Sequence, residues 1–107
     1  MINCVFAIYD QAAKAYMSPF SFQSPGQAIR AFTDLANDQN TNVGKHPEDY
    51  SLFQIGSFDD EKGLLKDMKH FNLGKAIEFV SSFTGSEMIS ADTDKDIRNG
   101  ASLGNVP

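Results

Sequence analysis

The sequence predicts an α+β domain, an antiparallel sheet of four or five strands with one helix, residues 25–37, packed on one face. Three observations predict it. Residues 50–65 run from aromatic and branched side chains through Asp59-Asp60-Glu61-Lys62-Gly63 to Leu64-Leu65, the pattern of a β-hairpin. Residues 2–10 alternate at period two with both faces largely apolar, which suits a strand in the middle of a sheet. Ser24-Pro25-Gly26-Gln27 opens a stretch whose apolar residues recur every three or four positions, which makes an amphipathic helix. Five short strands with one helix also fit a small barrel of the oligonucleotide-binding kind, and that architecture is the alternative.

In chain order, Ile2, Cys4, Phe6 and Ile8 fall on one side of the first strand and Val5, Ala7 and Tyr9 on the other. After a polar turn, Tyr16, Ser18, Phe20 and Phe22 alternate again, but Pro19 lacks an N–H and places this second strand at a sheet edge or in an irregular extended segment. Ser24 is positioned to accept from a free backbone N–H, Pro25 suits the first helical position, and Gln27 completes a capping-box spacing. Ala28, Ile29, Phe32, Leu35 and Ala36 form the stripe that meets the sheet, and residues 37–46 read as a long polar loop because Asn, Asp and Thr favour local side-chain bonds over helix.

In the hairpin, Tyr50, Leu52, Gln54 and Phe58 are expected on one face and Phe53 and Ile55 on the other, with Gly56 marking a bulge or a close backbone approach. The returning strand is expected to weaken at Lys66-Asp67-Met68-Lys69-His70. Residues 75–80 suit either a strand or a helical turn, and Phe and Val favour the strand. The organisation expected is one α+β domain over residues 1–83, followed by a mobile acidic C-terminal tail over residues 84–107, where apolar density falls.

Composition narrows the chemistry. No apolar run approaches the roughly 20 residues of a membrane span, and the start lacks the features of a signal peptide, so a cytosolic protein without membrane contact is expected. The lone Cys4 is expected to act as a small apolar core residue. The chain has no phosphate-binding glycine loop and none of the familiar metal spacings. His46 and His70 are too far apart to suggest a site, and Asp59-Asp60-Glu61 reads as a solvated turn. No enzyme, no metal and no cofactor are expected. The net charge of −5 disfavours indiscriminate attachment to nucleic acid, yet Lys62, Lys66, Lys69 and Lys75 face only Asp67 and Glu78 in their part of the chain. They form a candidate basic strip. Aromatic rings near the first turn, with nine Phe and three Tyr in the chain, give a second candidate. Tyr9, Tyr16, Phe20 and Phe22, near Lys14 and Arg30, suit a surface where bases stack and cations meet phosphates, although filling the core is the ordinary role of such rings and a self-association surface is a third reading.

Residues 6–10 (Phe-Ala-Ile-Tyr-Asp), residues 16–20 (Tyr-Met-Ser-Pro-Phe), residues 26–32 and, above all, Asp49-Tyr50-Ser51-Leu52-Phe53-Gln54-Ile55-Gly56-Ser57-Phe58-Asp59 carry a family resemblance. Over roughly residues 4–66 the chain resembles the small nonstructural protein of gokushoviruses, tailless single-stranded-DNA phages of the Microviridae. The resemblance implies a DNA-binding phage protein in the host cytoplasm, absent from the mature virion, with a part in genome replication or packaging. It transfers no site residues. The function expected is non-enzymatic binding of single-stranded DNA by a homodimer, with Lys14, Tyr16, Phe20, Arg30, Lys62, Lys66, Lys69 and Lys75 as the contact set. The alternative is an interaction module for a phage replication or assembly protein or a host factor.

Overall fold

A computed structural model describes residues 1–81; the expected domain boundary at residue 83 and the tail from residue 84 lie outside the described residues. The strands are β1 (Ile2–Asp10), β2 (Ala15–Tyr16), β3 (Phe20–Phe22), β4 (Tyr50–Asp59) and β5 (Leu64–Lys75), with helices α1 (Pro25–Ala36) and α2 (Asn42–Lys45) between β3 and β4. All pairings are antiparallel. The doubly apolar β1 is flanked on both sides, by β4 along its full length and by β2 and β3 on the other flank, while β5 forms the far edge. The sheet stays open, so the barrel alternative is not adopted: neither β2 nor β3 pairs with β5.

The core lies on one side of this sheet, where Phe6 and Ile8 of β1 and Tyr50 and Leu52 of β4 meet Ala28, Phe32 and Ala36 of α1. Phe6, Phe32 and Leu52 are its largest fully enclosed side chains. Helix α1 starts as its sequence dictates: the Gln27 N–H donates to Ser24 Oγ at 3.4 Å, and Gln27 Oε1 accepts from the Gln23 N–H at 2.9 Å. At its other end the Asn37 amide donates to the carbonyls of Thr33 (2.8 Å) and Phe79 (3.0 Å) and accepts from the Ser81 N–H (2.8 Å). One side chain thereby ties the helix end to the last described turn.

Five sequence expectations are corrected. The second strand is two short pieces, β2 and β3, because Pro19 interrupts the ladder on β1. The polar loop contains α2, capped by Thr41 Oγ1 accepting from the Gly44 N–H at 3.0 Å, and a 3-10 turn, Pro47–Asp49. Residues 75–80 do not form a strand. Ala76–Phe79 is a 3-10 turn, held by Glu78 Oε2 accepting from the Lys75 N–H at 3.2 Å and by Ala76 sinking into the core. Fourth, Val5 pairs with Gly56 and Phe6 with Gln54, so Ile55 is an extra residue in the ladder. That bulge reverses the alternation, and Phe58 lies opposite Asn3 and Leu65 on the side away from α1.

Strand β5 also continues through Lys66–His70 rather than fading. Asp67 pairs with Gly56 and Phe71 with Gln54, leaving residues 68–70 as an irregular excursion opposite the bulge of β4. Backbones come so close there that a Cβ on Gly56 would collide with the Lys66 carbonyl oxygen. The hairpin turn is closed by Asp59, whose Oδ1 accepts from the N–H groups of Glu61 (3.0 Å) and Lys62 (3.3 Å), and by Gly63 in the left-handed region at φ 68°. No helix among the described residues is long and apolar enough to cross a membrane.

Candidate nucleic-acid interface

The side of the sheet away from α1 carries no covering element among the described residues, and four rings gather on it. The register places Tyr9 of β1 opposite Tyr16 of β2, and Phe53 of β4 opposite Ala7 of β1. Ring centroids are 4.9 Å apart for Tyr9 and Tyr16, 6.4 Å for Tyr9 and Phe53, and 5.7 Å for Tyr16 and Phe53. His70 joins them, edge-on to Tyr16 at 5.5 Å and tilted against Phe53 at 6.4 Å, with its Nδ1 3.3 Å from the Tyr16 hydroxyl. It belongs to the excursion of β5, and re-aiming a side chain is what such irregularities do in sheets. Ala7 and Ser51, both small and buried, form the floor between the rings.

Cations border this patch on two sides. Lys14 sits at the tip of the β1–β2 turn, which Asp10 closes by accepting from the N–H groups of Ala12 (3.0 Å) and Ala13 (3.2 Å). Lys14 itself has φ 56°, a left-handed conformation that glycine or asparagine adopts more easily. Lys75 lies opposite Ser51, which in turn lies opposite Tyr9, so its side chain leaves the sheet on the aromatic side. Lys66 pairs with Ser57, a neighbour of Cys4, and belongs to the helix side. Lys69 occupies the excursion and Lys62 the hairpin turn. The four lysines thus line one edge of the molecule instead of clustering on one face. Among the described residues the only ion pairs join the Met1 amine to Asp60 (2.7 Å) and Glu61 (3.5 Å), so none of them neutralises a lysine or an arginine.

The structure therefore divides the residues expected from sequence. Tyr16, Lys14 and Lys75 share the open side. Lys62, Lys66 and Lys69 follow the β5 edge. Phe20 and Arg30 are on the helix side: Phe20 is half-buried against Phe6, with centroids 6.0 Å apart, and Arg30 is exposed on α1. Phe53 and His70 belong to the patch without having been singled out, and Tyr9 is one of the rings near the first turn that were not carried into the contact set. The signal for Tyr9 and Phe53 was present, because both fall on the off-core parity of two adjacent central strands. No group of three or more His, Cys, Asp or Glu side chains among the described residues is placed to hold a metal ion.

Among the described residues, two titrating groups are displaced from their ordinary behaviour. Burial pushes the Tyr50 phenol upward, helped by the Asp10 carboxylate to which it hydrogen-bonds and by Asp49. The Met1 amine is raised chiefly by its hydrogen bond to Asp60. Both lie away from the ring cluster and serve the fold.

Comparison with known proteins gives the origin of the chain. It is 37% identical over 62 residues to the protein ORF5 of Chlamydia phage 1, an alignment covering 54% of this chain and 65% of that protein, under two thirds of its length. No solved structure matches. A family model described as Phage ORF5 protein matches residues 3–79, which take in α1 and all of the sheet except Ile2 at the start of β1. The chain belongs to the Phage ORF5 protein family and is a phage protein of the gokushovirus type.

Proposed function

We propose that this phage protein binds single-stranded DNA without catalysing a reaction, as part of genome replication or packaging. The observation that carries the reading is the ring cluster Tyr9, Tyr16, Phe53 and His70 on an uncovered sheet face, bordered by Lys14 and Lys75. Aromatic side chains on the central strands of an open sheet are how several single-strand binders stack bases. Duplex DNA keeps its bases stacked inside and offers no such partner. The lysines along β5 supply phosphate contacts around this platform. On a chain of net charge −5 they give modest affinity that falls steeply with salt.

The test is a titration of a labelled single-stranded oligonucleotide at low and at raised salt. Tyr16→Ala combined with Phe53→Ala is expected to weaken binding by about 1–3 kcal/mol for each lost stack. Replacing Lys62, Lys66, Lys69 and Lys75 with Glu is expected to remove the salt dependence, whose log–log slope is roughly 0.7 per phosphate contacted on a single strand. Absence of binding at low salt overturns this reading. The exposed Leu65 and Phe71 of β5 then favour a module that binds a replication or assembly protein.

A further inference from the structure

The two edges of the sheet are built differently. Strand β5 carries Lys66, Asp67 and Lys69 and the irregular excursion at residues 68–70, the devices by which edge strands avoid pairing with a neighbour. The β2–β3 edge carries no charge at all: from residue 15 to residue 29, between Lys14 and Arg30, the sequence contains no Asp, Glu, Lys, Arg or His. Within that span Tyr16 and Met17 are 45% and 46% exposed, and Phe20 and Phe22 are half-buried. An apolar cleft of about 560 Å³ lies beside the edge, between β3 and α1, lined by Met17, Phe20, Phe22, Phe32 and Leu35 with a few neighbours.

We infer that this edge is the contact surface for a second copy of the chain, with two β3 strands pairing antiparallel about a twofold axis at Ser21. Charge selects the partner. Two molecules of net charge −5 repel wherever charged faces meet, and the uncharged edge is where they approach with the least penalty. The side-chain pattern is self-complementary about that axis. Ser21 pairs with Val5 on the open side, while Phe20 and Phe22 pair with Phe6 and Cys4 on the helix side. Rotation about Ser21 therefore sets each Phe20 opposite the second copy's Phe22 and extends the Phe6–Phe20–Phe22 ring cluster across the contact. Exposed Ser21 faces its own copy on the open side. Pro19 limits the ladder to a few residues, so the association is concentration-dependent.

Sedimentation of the full chain across micromolar concentrations tests this, with no nucleic acid present, so the outcome is separate from the DNA reading. The unmodified protein is expected to reach twice the monomer mass. Ser21→Glu and Ser21→Lys each set like charges face to face and are expected to stay monomeric, and an equimolar mixture of the two is expected to return to the dimer mass. Leu65→Glu on the opposite edge is expected to leave the dimer intact. A monomeric unmodified protein, dimeric Ser21→Glu or Ser21→Lys, a mixture that stays monomeric, or a monomeric Leu65→Glu variant would each overturn the assignment.

Discussion

Asp10 illustrates how much one side chain settles at the residue scale. Its carboxylate closes the β1–β2 turn through Ala12 and Ala13 and also accepts from the buried Tyr50 phenol. Burial and this carboxylate both oppose ionisation of Tyr50, so its folded-state value lies above the ordinary phenol value of about 10. The folded chain then holds a proton that the unfolded chain releases. This contribution to stability is complete below pH about 10 and is lost as pH rises through the folded-state value. Denaturant midpoints measured across the alkaline range should fall for the native sequence, and Tyr50→Phe should flatten that fall. Gly56 is constrained differently: its missing Cβ makes room for the Lys66 carbonyl where both strands are irregular. Gly56→Ala should destabilise by about 1–3 kcal/mol, read as a lower urea midpoint with an unchanged slope.

At the scale of elements, local chemistry explains what could be read in advance. Ser24, Pro25 and Gln27 are a start signal written in four consecutive residues, and α1 begins at Pro25 with Ser24 as its cap. Ser24→Ala should cost about 1 kcal/mol, measurable as a shift in thermal midpoint. The doubly apolar β1 and the hairpin at residues 59–64 were legible for the same reason, since their patterns are short-range. The second half of β4 was not, because Ile55 is as good a strand residue as its neighbours. Only its pairing with β1 reveals it as the extra one that turns Phe58 to the other side. Strand β5 was underestimated because Lys66–His70 has little strand preference of its own, and pairing with β4 overrides propensity. The ring patch inherits both difficulties. Tyr16 was visible from its place beside the first turn, whereas His70 is brought in by an excursion that no local pattern announces.

On the scale of the whole molecule, the sheet divides its work between two faces. The side facing α1 holds the enclosed Phe6, Phe32 and Leu52, and the other side holds Tyr9, Tyr16, Phe53 and His70 around the small Ala7 and Ser51. A core of this size leaves little margin, since domains of this length are stable by only about 5–15 kcal/mol. Leu52→Ala should remove about 2–5 kcal/mol and lower oligonucleotide binding only by lowering the folded fraction. Tyr16→Ser with Phe53→Ser acts on the opposite side, where the rings remain partly in water and their loss costs the fold less. Paired measurements of denaturant midpoint and oligonucleotide affinity should therefore separate the two variants. Leu52→Ala should shift the midpoint while keeping the affinity of the folded fraction, and the double serine variant should lose affinity while moving the midpoint less. If both variants moved the two quantities together, the uncovered face would be carrying stability instead of recognition, and the exposure of its rings would need another partner to explain it.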